Sequence, residues 1–243
     1  MTPNPLTPHP QAPTPAAPHR PHAPYPMPAV APTDADGPPW GIDPHRAALV
    51  VQQVQRHLLT ALEHRAPVDE LLTRTARLIR AARDAGVPVV YVVRVPGHPE
   101  DPAGSAGRPG GPGRLLLEPP TGEAEARAVA EAVLPQAGDS VLAAKRCSAF
   151  VGTRLRARLK ELGRDQVIVT GGAARTDVLL TAADAWMQDL RPFVVGDAVV
   201  DRTADDHVAA LDWLAATCAR IVGTDAVTSA FAAARPADTA KAT

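Results

Sequence analysis

Three polar or charged side chains stand shortly after apolar runs of strand length, where the reactive groups of parallel-sheet proteins lie. They are Gln53, Arg94 and Asp177. A carboxyl group can act as a general acid because burial can move its pKa towards neutrality, whereas the amide of Gln53 does not titrate in the usable range. A guanidinium can bind a carboxylate through two parallel hydrogen bonds. Asp177 is therefore a candidate for proton transfer, and Arg94 is a candidate for binding an acidic ligand.

The elements that must position these residues follow an alternating pattern. Predicted strands cover residues 47–51, 87–93, 140–144, 166–170, 192–195 and 220–224, and predicted helices cover residues 54–64, 68–85, 123–134, 150–162, 177–190 and 207–219. Such alternation is typical of βαβ units around a parallel sheet. We predict an α/β fold with a doubly wound six-stranded parallel sheet and helices on both faces, a three-layer sandwich. The Gly171-Gly172 pair predicts a turn after the fourth strand.

Composition divides the chain into one domain and two tails. Residues 1–38 are rich in Pro, Ala, His and Thr, which predicts a largely disordered tail. The later part, residues 25–40, either straps onto the domain through its large apolar side chains or is a linker. Residues 39–233 form the predicted domain, and residues 234–243 are expected to fray. Residues 95–120 are rich in Gly and Pro, and so long a connection predicts a lid or pocket wall.

The charge and cysteine content exclude several classes of function. The formal net charge is −1 and the basic residues are scattered, so there is no footprint for nucleic acid or an anionic membrane. The longest apolar runs, such as residues 87–93, are far shorter than the ~20 residues of a membrane span. Only Cys147 and Cys218 are present, which indicates neither a disulfide framework nor a zinc site. We expect a cytoplasmic protein that needs no cofactor and acts on a small molecule.

Short motifs along residues 46–227 share the order and near-constant spacing of one family. They are PHRAALVVQQVQR at 44–56, GVPVVY at 86–91, GPG at 111–113, SAF at 148–150, GRDQ at 163–166, TAADA at 181–185, DLRPF at 189–193 and DA at 197–198. Together they resemble the isochorismatase-like (cysteine hydrolase) superfamily, closest to the isochorismatases and the aminodeoxyisochorismatases of phenazine biosynthesis. YPMP at 25–28 and Trp40 also have counterparts in that branch. The resemblance implies a small biosynthetic intermediate as substrate and a homodimer or higher homo-oligomer.

The catalytic positions of that family carry other residues in this chain. The family uses an Asp at the end of the first strand, a Lys after the third and, in its amidase-like branches, a Cys at the turn after the fourth. In the vinyl-ether-cleaving branch the Asp delivers a proton to substrate carbon, and a Gly stands where the Cys would be. The matching positions here are Gln53, Ala144 and Asp177. The resemblance predicts the fold, and these departures predict that the usual hydrolysis has been replaced or lost.

Lys145 and Asp177 each leave an alternative open. Lys145 replaces the missing Lys only if the strand slips by one residue, because neighbouring strand residues point to opposite faces. Asp177 stands where related hydrolases carry a reactive side chain, but an Asp close to a helix start can also cap that helix, which would hold its pKa low.

Position and resemblance add further candidates for ligand binding. Arg175 stands where the vinyl-ether enzymes carry a His near the substrate, and it can bind a carboxylate as Arg94 can. The remaining candidates are Gln52, Lys145, Gly172 and Ala173.

Several other reactive side chains are assigned structural roles. His207 belongs to an Asp-His helix start that also occurs in the family. Cys147 has no visibly paired His, so a thiolate nucleophile is not expected there. His57, His64 and His98 lack the spacing of metal ligands. No metal site is predicted.

Three hypotheses about function follow. In the first, the protein is an enzyme of bacterial secondary metabolism that uses Gln53, Arg94, Arg175 and Asp177 for a non-hydrolytic step, such as a cyclisation, isomerisation or elimination. In the second, it is a non-catalytic relative that binds a ligand or partner protein. In the third, vinyl-ether hydrolysis persists through a rearranged pair of Asp177 and Lys145. Fold alone does not choose between them.

Overall fold

Six parallel strands form the sheet in the computed structural model, which describes residues 24–30, 40–64, 66–95, 124–125 and 127–233. The strands are β1 (Ala47–Gln52), β2 (Val89–Arg94), β3 (Ser140–Ala144), β4 (Gln166–Gly172), β5 (Arg191–Val200) and β6 (Arg220–Val222). Their spatial order is β3-β2-β1-β4-β5-β6, and every neighbouring pair is parallel. The predicted doubly wound, six-stranded parallel sheet is confirmed.

Helices cover both faces of the sheet. They are α1 (Arg56–Leu62), α2 (Val68–Asp84), α3 (Leu155–Glu161), α4 (Leu179–Met187), α5 (Ala204–Thr217) and α6 (Thr224–Ala233). Alternate residues of a strand point to opposite faces, so Leu49 packs in a core with α1, α2 and α6, while Val50 packs in a second core with α3, α4 and α5. Burial on both faces explains why the central strands are almost wholly apolar.

The winding of the chain reverses between β1 and β4. The first three strands build outward from β1 in one direction, and the last three build outward from β4 in the other. In open sheets of this type a crevice forms beyond the carboxyl ends of the two strands at the reversal. Gln53 follows β1, Arg94 is the last residue of β2, and a single turn of π-helix, Ala174–Val178, follows β4.

The helix predicted over residues 123–134 is wrong for the described part of that segment. A short 3₁₀ turn, Glu131–Val133, forms there instead. Just before it, Val129 makes an antiparallel bridge to Gln55. Pairing with a distant segment has therefore overridden the local preference for helix.

Other element boundaries also differ from prediction. The helix predicted over residues 150–162 begins at Leu155, because Gly152 has a φ of +69°, which does not fit a right-handed helix. Strand β5 continues to Val200, where it pairs with the end of β4. Helix α6 was not predicted.

Gly171 and Gly172 do not form the predicted turn. Strand β4 continues through Gly172, and the chain turns at Ala173, whose φ is +55°. Gly171 has a φ of +128°, and a Cβ there would lie 1.8 Å from the carbonyl oxygen of Gln52. The glycine is thus required by the close approach of β1 and β4 next to the crevice.

The N-terminal residues 24–30 lie against the domain. Tyr25 and Met27 are partly buried on the core that α1, α2 and α6 cover. The predicted disordered segment 1–23, the fraying segment 234–243 and almost all of the Gly/Pro-rich loop, residues 96–120, lie outside the described residues.

Within the described ranges, no helix has the length and apolar character needed to cross a membrane.

Substitution of Gly171 tests the close approach of β1 and β4. Gly171→Ala is expected to lower the free energy of unfolding by about 3 kcal/mol or more, because the methyl group meets backbone atoms that cannot move aside. Chemical denaturation followed by circular dichroism measures the loss. Gly163→Ala is the matched control, since Gly163 has a φ of +64° but open space around its Cβ position. A cost of about 1–2 kcal/mol is expected there, and equal losses in the two variants would contradict the steric argument.

Candidate functional site

A buried ion pair lies at the carboxyl ends of the central strands. The carboxylate of Asp177 is bound to the Nη2 atom of Arg94, and both side chains have 0% of their surface exposed. The same carboxylate oxygen, Oδ1, accepts a hydrogen bond of 3.1 Å from Nε2 of Gln53. The other oxygen, Oδ2, accepts one of 3.0 Å from the hydroxyl of Thr176. Three residues predicted from sequence are therefore in direct contact.

Arg94 is held by both its strand and a neighbouring glutamine. It is the last residue of β2 and pairs with Ala144 at the end of β3. The Oε1 atom of Gln55 accepts a hydrogen bond of 2.6 Å from the backbone N–H of Arg94, and Nε2 of Gln55 donates one of 3.1 Å to the backbone carbonyl of Arg94. The side chain of Arg94 points inward and is wholly buried.

Asp177 is positioned by an irregular turn after β4. Ala173 adopts the left-handed conformation, and its carbonyl oxygen accepts the N–H groups of Thr176, Asp177 and Val178. The resulting π-helical turn runs directly into α4. Turns of this widened type occur often at functional sites. The carboxylate of Asp177 caps no helix, so the capping alternative is wrong.

Gln53 and Gln52 act on opposite sides of β1. Gln53 has a φ of +54°, a left-handed conformation that costs about 1–2 kcal/mol for a residue other than glycine. Its amide reaches Asp177. Nε2 of Gln52 instead donates to the carbonyl of Cys147 at 2.9 Å and to the hydroxyl of Thr181 at 2.8 Å. Gln52 thus ties the loop after β3 to α4.

Burial sets the protonation of Asp177. Loss of solvent raises the pKa of this carboxyl to about 6, although the charge of Arg94 and the hydrogen bonds from Thr176 and Gln53 oppose the shift. A carboxyl with this pKa can both give and accept a proton near neutral pH. The arrangement has the properties of a general acid and base.

Cys147 borders the ion pair from the loop after β3. Burial raises the pKa of this thiol, the charge of Asp177 raises it further, and the charge of Arg94 lowers it. The side chain is partly exposed. A raised pKa keeps the thiol protonated at neutral pH, in agreement with the expectation that no thiolate nucleophile forms.

Lys145 and Arg175 do not join the ion pair. Ala144 occupies the buried position opposite Arg94, and Lys145 is exposed, so the strand has not slipped by one residue. The side chain of Arg175 is 64% exposed and pairs with Asp206 of α5. The proposed pair of Asp177 and Lys145 is therefore not formed, and Arg175 does not face Asp177.

The two remaining candidates contribute backbone. Gly172 is buried at the end of β4, where a Cβ would lie 2.3 Å from the side chain of Leu58. Ala173 is also buried and forms the turn. Their role is to bring Asp177 into place.

His207 has a structural position. Its Nε2 lies 3.0 Å from the carbonyl of Gly196, and its Nδ1 lies 3.1 Å from the hydroxyl of Tyr25. Since a carbonyl only accepts, Nε2 carries the proton. Nδ1 and the carbonyl of Asp201, at 3.2 Å, then share the one hydroxyl proton of Tyr25. Burial lowers the pKa of this imidazole. His207 therefore fastens the N-terminal residues 24–30 to α5.

Sequence reasoning missed the supporting polar residues. Gln55, Thr176 and Thr181 are bonded to Arg94, Asp177 and Gln52 respectively. The signal that could have found Gln55 is the spacing of three glutamines, at positions 52, 53 and 55, directly after a buried strand.

No cluster of three or more His, Cys, Asp or Glu side chains that could hold a metal ion occurs in the described ranges.

The raised pKa of Asp177 has a consequence for stability that Asp177→Asn tests. The folded state holds this proton more tightly than the unfolded state, so the group contributes stability at low pH that is lost as the pH rises through about 6. An asparagine cannot ionise, so the stability of the variant is expected not to fall over the same pH range, whereas that of the unmodified protein is expected to fall. Urea denaturation between pH 4 and pH 8 should show a difference that grows up to about pH 6 and is then constant. A variant destabilised by several kcal/mol at pH 7 would instead mean that the ionised pair stabilises the fold.

Comparison with known proteins gives one consistent result. The sequence pattern of the isochorismatase domain matches residues 47–226. The phenazine biosynthesis protein PhzD of Pseudomonas fluorescens is 37% identical over 204 residues, which cover 84% of this chain and 95% of that protein. An isochorismatase of Bacillus subtilis is 34% identical over 205 residues, which cover 84% of this chain and 64% of that protein.

Solved structures agree with the sequence relatives. An isochorismatase family protein from Burkholderia thailandensis superposes with a TM-score of 0.69 and 25% identity, over 79% of this chain and 97% of that one. A cysteine hydrolase from Pseudomonas syringae superposes with a TM-score of 0.66 at 21% identity, over 80% of this chain and 96% of that one, and shows the fold alone. With this fold and the match to residues 47–226, the chain belongs to the isochorismatase family.

Proposed function

We propose that this protein is an enzyme that moves a proton on a small biosynthetic intermediate in a non-hydrolytic step, with Asp177 as the acid and base. The observation that carries the proposal is the buried carboxyl of Asp177, whose pKa of about 6 fits proton transfer at neutral pH. Arg94 and Gln53 hold this carboxyl in one orientation. A fixed proton donor in a site without bulk water contributes to rate through preorganisation.

Replacement of the family's catalytic residues argues against ordinary hydrolysis. Gln53 stands at the position of the family's Asp and cannot supply a proton. Ala144 stands at the position of its Lys, and the neighbouring Lys145 does not take its place because its side chain is exposed. The acidic group is instead Asp177, on the turn that follows the neighbouring strand β4, so a proton would arrive at a different atom of a bound substrate.

The proposed step conserves the atoms of the substrate or splits it without water. Protonated Asp177 gives its proton to one substrate atom, and the resulting carboxylate removes a proton from a neighbouring atom. An isomerisation returns Asp177 to its starting state in this way. In an elimination the proton goes to the leaving group, which departs with its bonding electron pair, and the pair left by the removed proton forms the new double bond. In a cyclisation the ring-closing atom supplies the electron pair of the new bond and gives its proton to the carboxylate.

The substrate class follows from the relatives. Proteins named for phenazine biosynthesis and for isochorismatase activity cover most of this chain. We therefore propose an intermediate of bacterial secondary metabolism as the substrate, and a homodimer or higher homo-oligomer in the cytoplasm as the working form.

One observation favours a non-catalytic homologue as the competing function. Asp177 and Arg94 already satisfy each other's charge and are fully buried, as members of a structural pair would be. A protein that only binds a ligand or partner would keep the fold and need no proton donor. Turnover of any substrate that depends on Asp177 would exclude this alternative.

Asp177→Asn tests the proposed role in catalysis. The variant is expected to lose turnover by about 10²–10⁴-fold, because the amide occupies the same space but transfers no proton. The assay is product analysis after incubation with isochorismate, its amino analogue and intermediates made by neighbouring genes. Asp189→Asn is the matched control, since Asp189 is exposed and its φ of +60° suits asparagine. Full activity of Asp177→Asn on a substrate that the unmodified protein converts would refute the role.

Reinstating the family's catalytic set tests the loss of hydrolysis. The unmodified protein is expected to cleave no vinyl ether in isochorismate. The triple variant Gln53→Asp, Ala144→Lys and Asp177→Gly is expected to gain that cleavage, because the acid and the ammonium return to the family's positions. Release of pyruvate, measured with a coupled assay, follows the reaction. Rapid release by the unmodified protein would contradict the proposal.

A further inference from the structure

Arg94 keeps two unused hydrogen-bond donors inside the protein. Its Nη2 atom binds Asp177, whereas Nε and Nη1 are buried and have no nitrogen or oxygen partner within the described part of the chain. The thiol of Cys147, which is only a weak acceptor, borders the guanidinium. A buried donor without a partner costs about 1–3 kcal/mol, and native proteins contain few of them. The whole side chain is 0% exposed. These donors therefore point to a ligand group that accepts hydrogen bonds.

An unused acceptor belongs to Gln53, which binds the same carboxylate oxygen as Arg94. Oε1 of Gln53 is buried and also has no hydrogen-bond partner among the residues described, while Nε2 of the same amide binds Asp177. Cys147 borders the pair and is partly exposed, so the site lies just below the surface at this point. A ligand oxygen at Arg94 would therefore lie within the same small space as Asp177.

The charges around Asp177 make it sensitive to an anion. From β2 it faces Arg94, from the loop after β3 the thiol of Cys147, and from β1 the uncharged Gln53. On its own turn, Arg175 is directed away to Asp206, and the backbone N–H of Arg175 binds the carboxylate of Asp201 at 2.7 Å. Among the described residues, Arg94 is thus the cation that stabilises the ionised form of Asp177. An anion bound to Arg94 would repel the ionised carboxylate of Asp177 and would partly neutralise the positive charge of Arg94 that stabilises it.

We propose that Arg94 is the binding site for a carboxylate of the ligand, and that carboxylate binding loads a proton from solvent onto Asp177. The free enzyme holds Asp177 mostly ionised at neutral pH, and the enzyme with ligand holds it protonated. The acid is thereby formed only when a ligand is present. This mechanism rests on the proposed function, because it supplies the proton that the reaction uses.

Binding of benzoate, a simple carboxylate probe, tests the coupling without any turnover. Isothermal titration calorimetry at pH 7 in phosphate and in Tris, which differ in ionisation enthalpy, measures the protons taken up on binding. We expect uptake of about one proton per benzoate, and affinity that falls about tenfold from pH 7 to pH 8. Benzamide, the neutral analogue, is expected to bind without proton uptake.

Variants separate the two residues. Asp177→Asn is expected to bind benzoate with no proton uptake and with an affinity that does not change between pH 7 and pH 8. Arg94→Gln is expected to lose benzoate binding. Arg83→Gln, which breaks the ion pair of Arg83 on α2 with Asp139, is the matched control and should leave proton uptake unchanged.

Three results would overturn the inference. They are benzoate binding to the unmodified protein without proton uptake, unchanged proton uptake in Asp177→Asn, and no benzoate binding at millimolar concentration. None of these results bears on turnover. Conversely, uptake of one proton on benzoate binding by a protein that converts no substrate would overturn the proposed function, but it would support the proposed link between carboxylate binding and protonation of Asp177.

Discussion

The rest of the site depends on one buried ion pair, that of Asp177 with Arg94. Two charges without solvent are stable only where geometry and additional hydrogen bonds compensate for lost hydration. Here Gln53 and Thr176 donate hydrogen bonds to the carboxylate of Asp177, and Gln55 binds the backbone of Arg94. The effect of burial on the pKa of Asp177 is still larger than that of these contacts, so the pKa lies near 6. Burial thus makes the ionised form of Asp177 unfavourable, and a carboxyl with such a raised pKa is better suited to proton transfer than to stabilising the fold.

The sheet supplies the precision that such a pair requires. Reversal of the winding between β1 and β4 places the carboxyl ends of β2, β1 and β4 side by side, where open sheets of this type form a crevice. Gly171 allows β1 and β4 to approach closely, and the left-handed Ala173 turns the chain so that Asp177 enters the crevice. A left-handed Gln53 aims its amide at the same point. The left-handed backbone of Gln53 and Ala173, neither of them a glycine, is strained next to the candidate acid, as is common at functional sites.

The fold could be predicted because its signals are local and repeated. Apolar runs of strand length, such as residues 47–51, alternate with helical segments, and that alternation admits few topologies. Prediction failed where distant contacts decide local structure. Residues 127–133 form no α-helix because Val129 pairs with Gln55, and β4 runs through Gly172 because β5 continues beside it.

The sequence by itself determined which chemical groups are present and which are missing: a carboxyl at 177, an amide at 53 and a methyl group at 144. It also determined the parallel sheet, because a strand buried on both faces must be apolar throughout. Only the tertiary structure decided that Arg94 points inward to Asp177 while Arg175 and Lys145 point away. The reason is that a side chain's direction depends on strand register and on turn geometry, which residue types alone do not specify. The pKa of Asp177 is likewise a property of its surroundings, since burial and a neighbouring guanidinium set it.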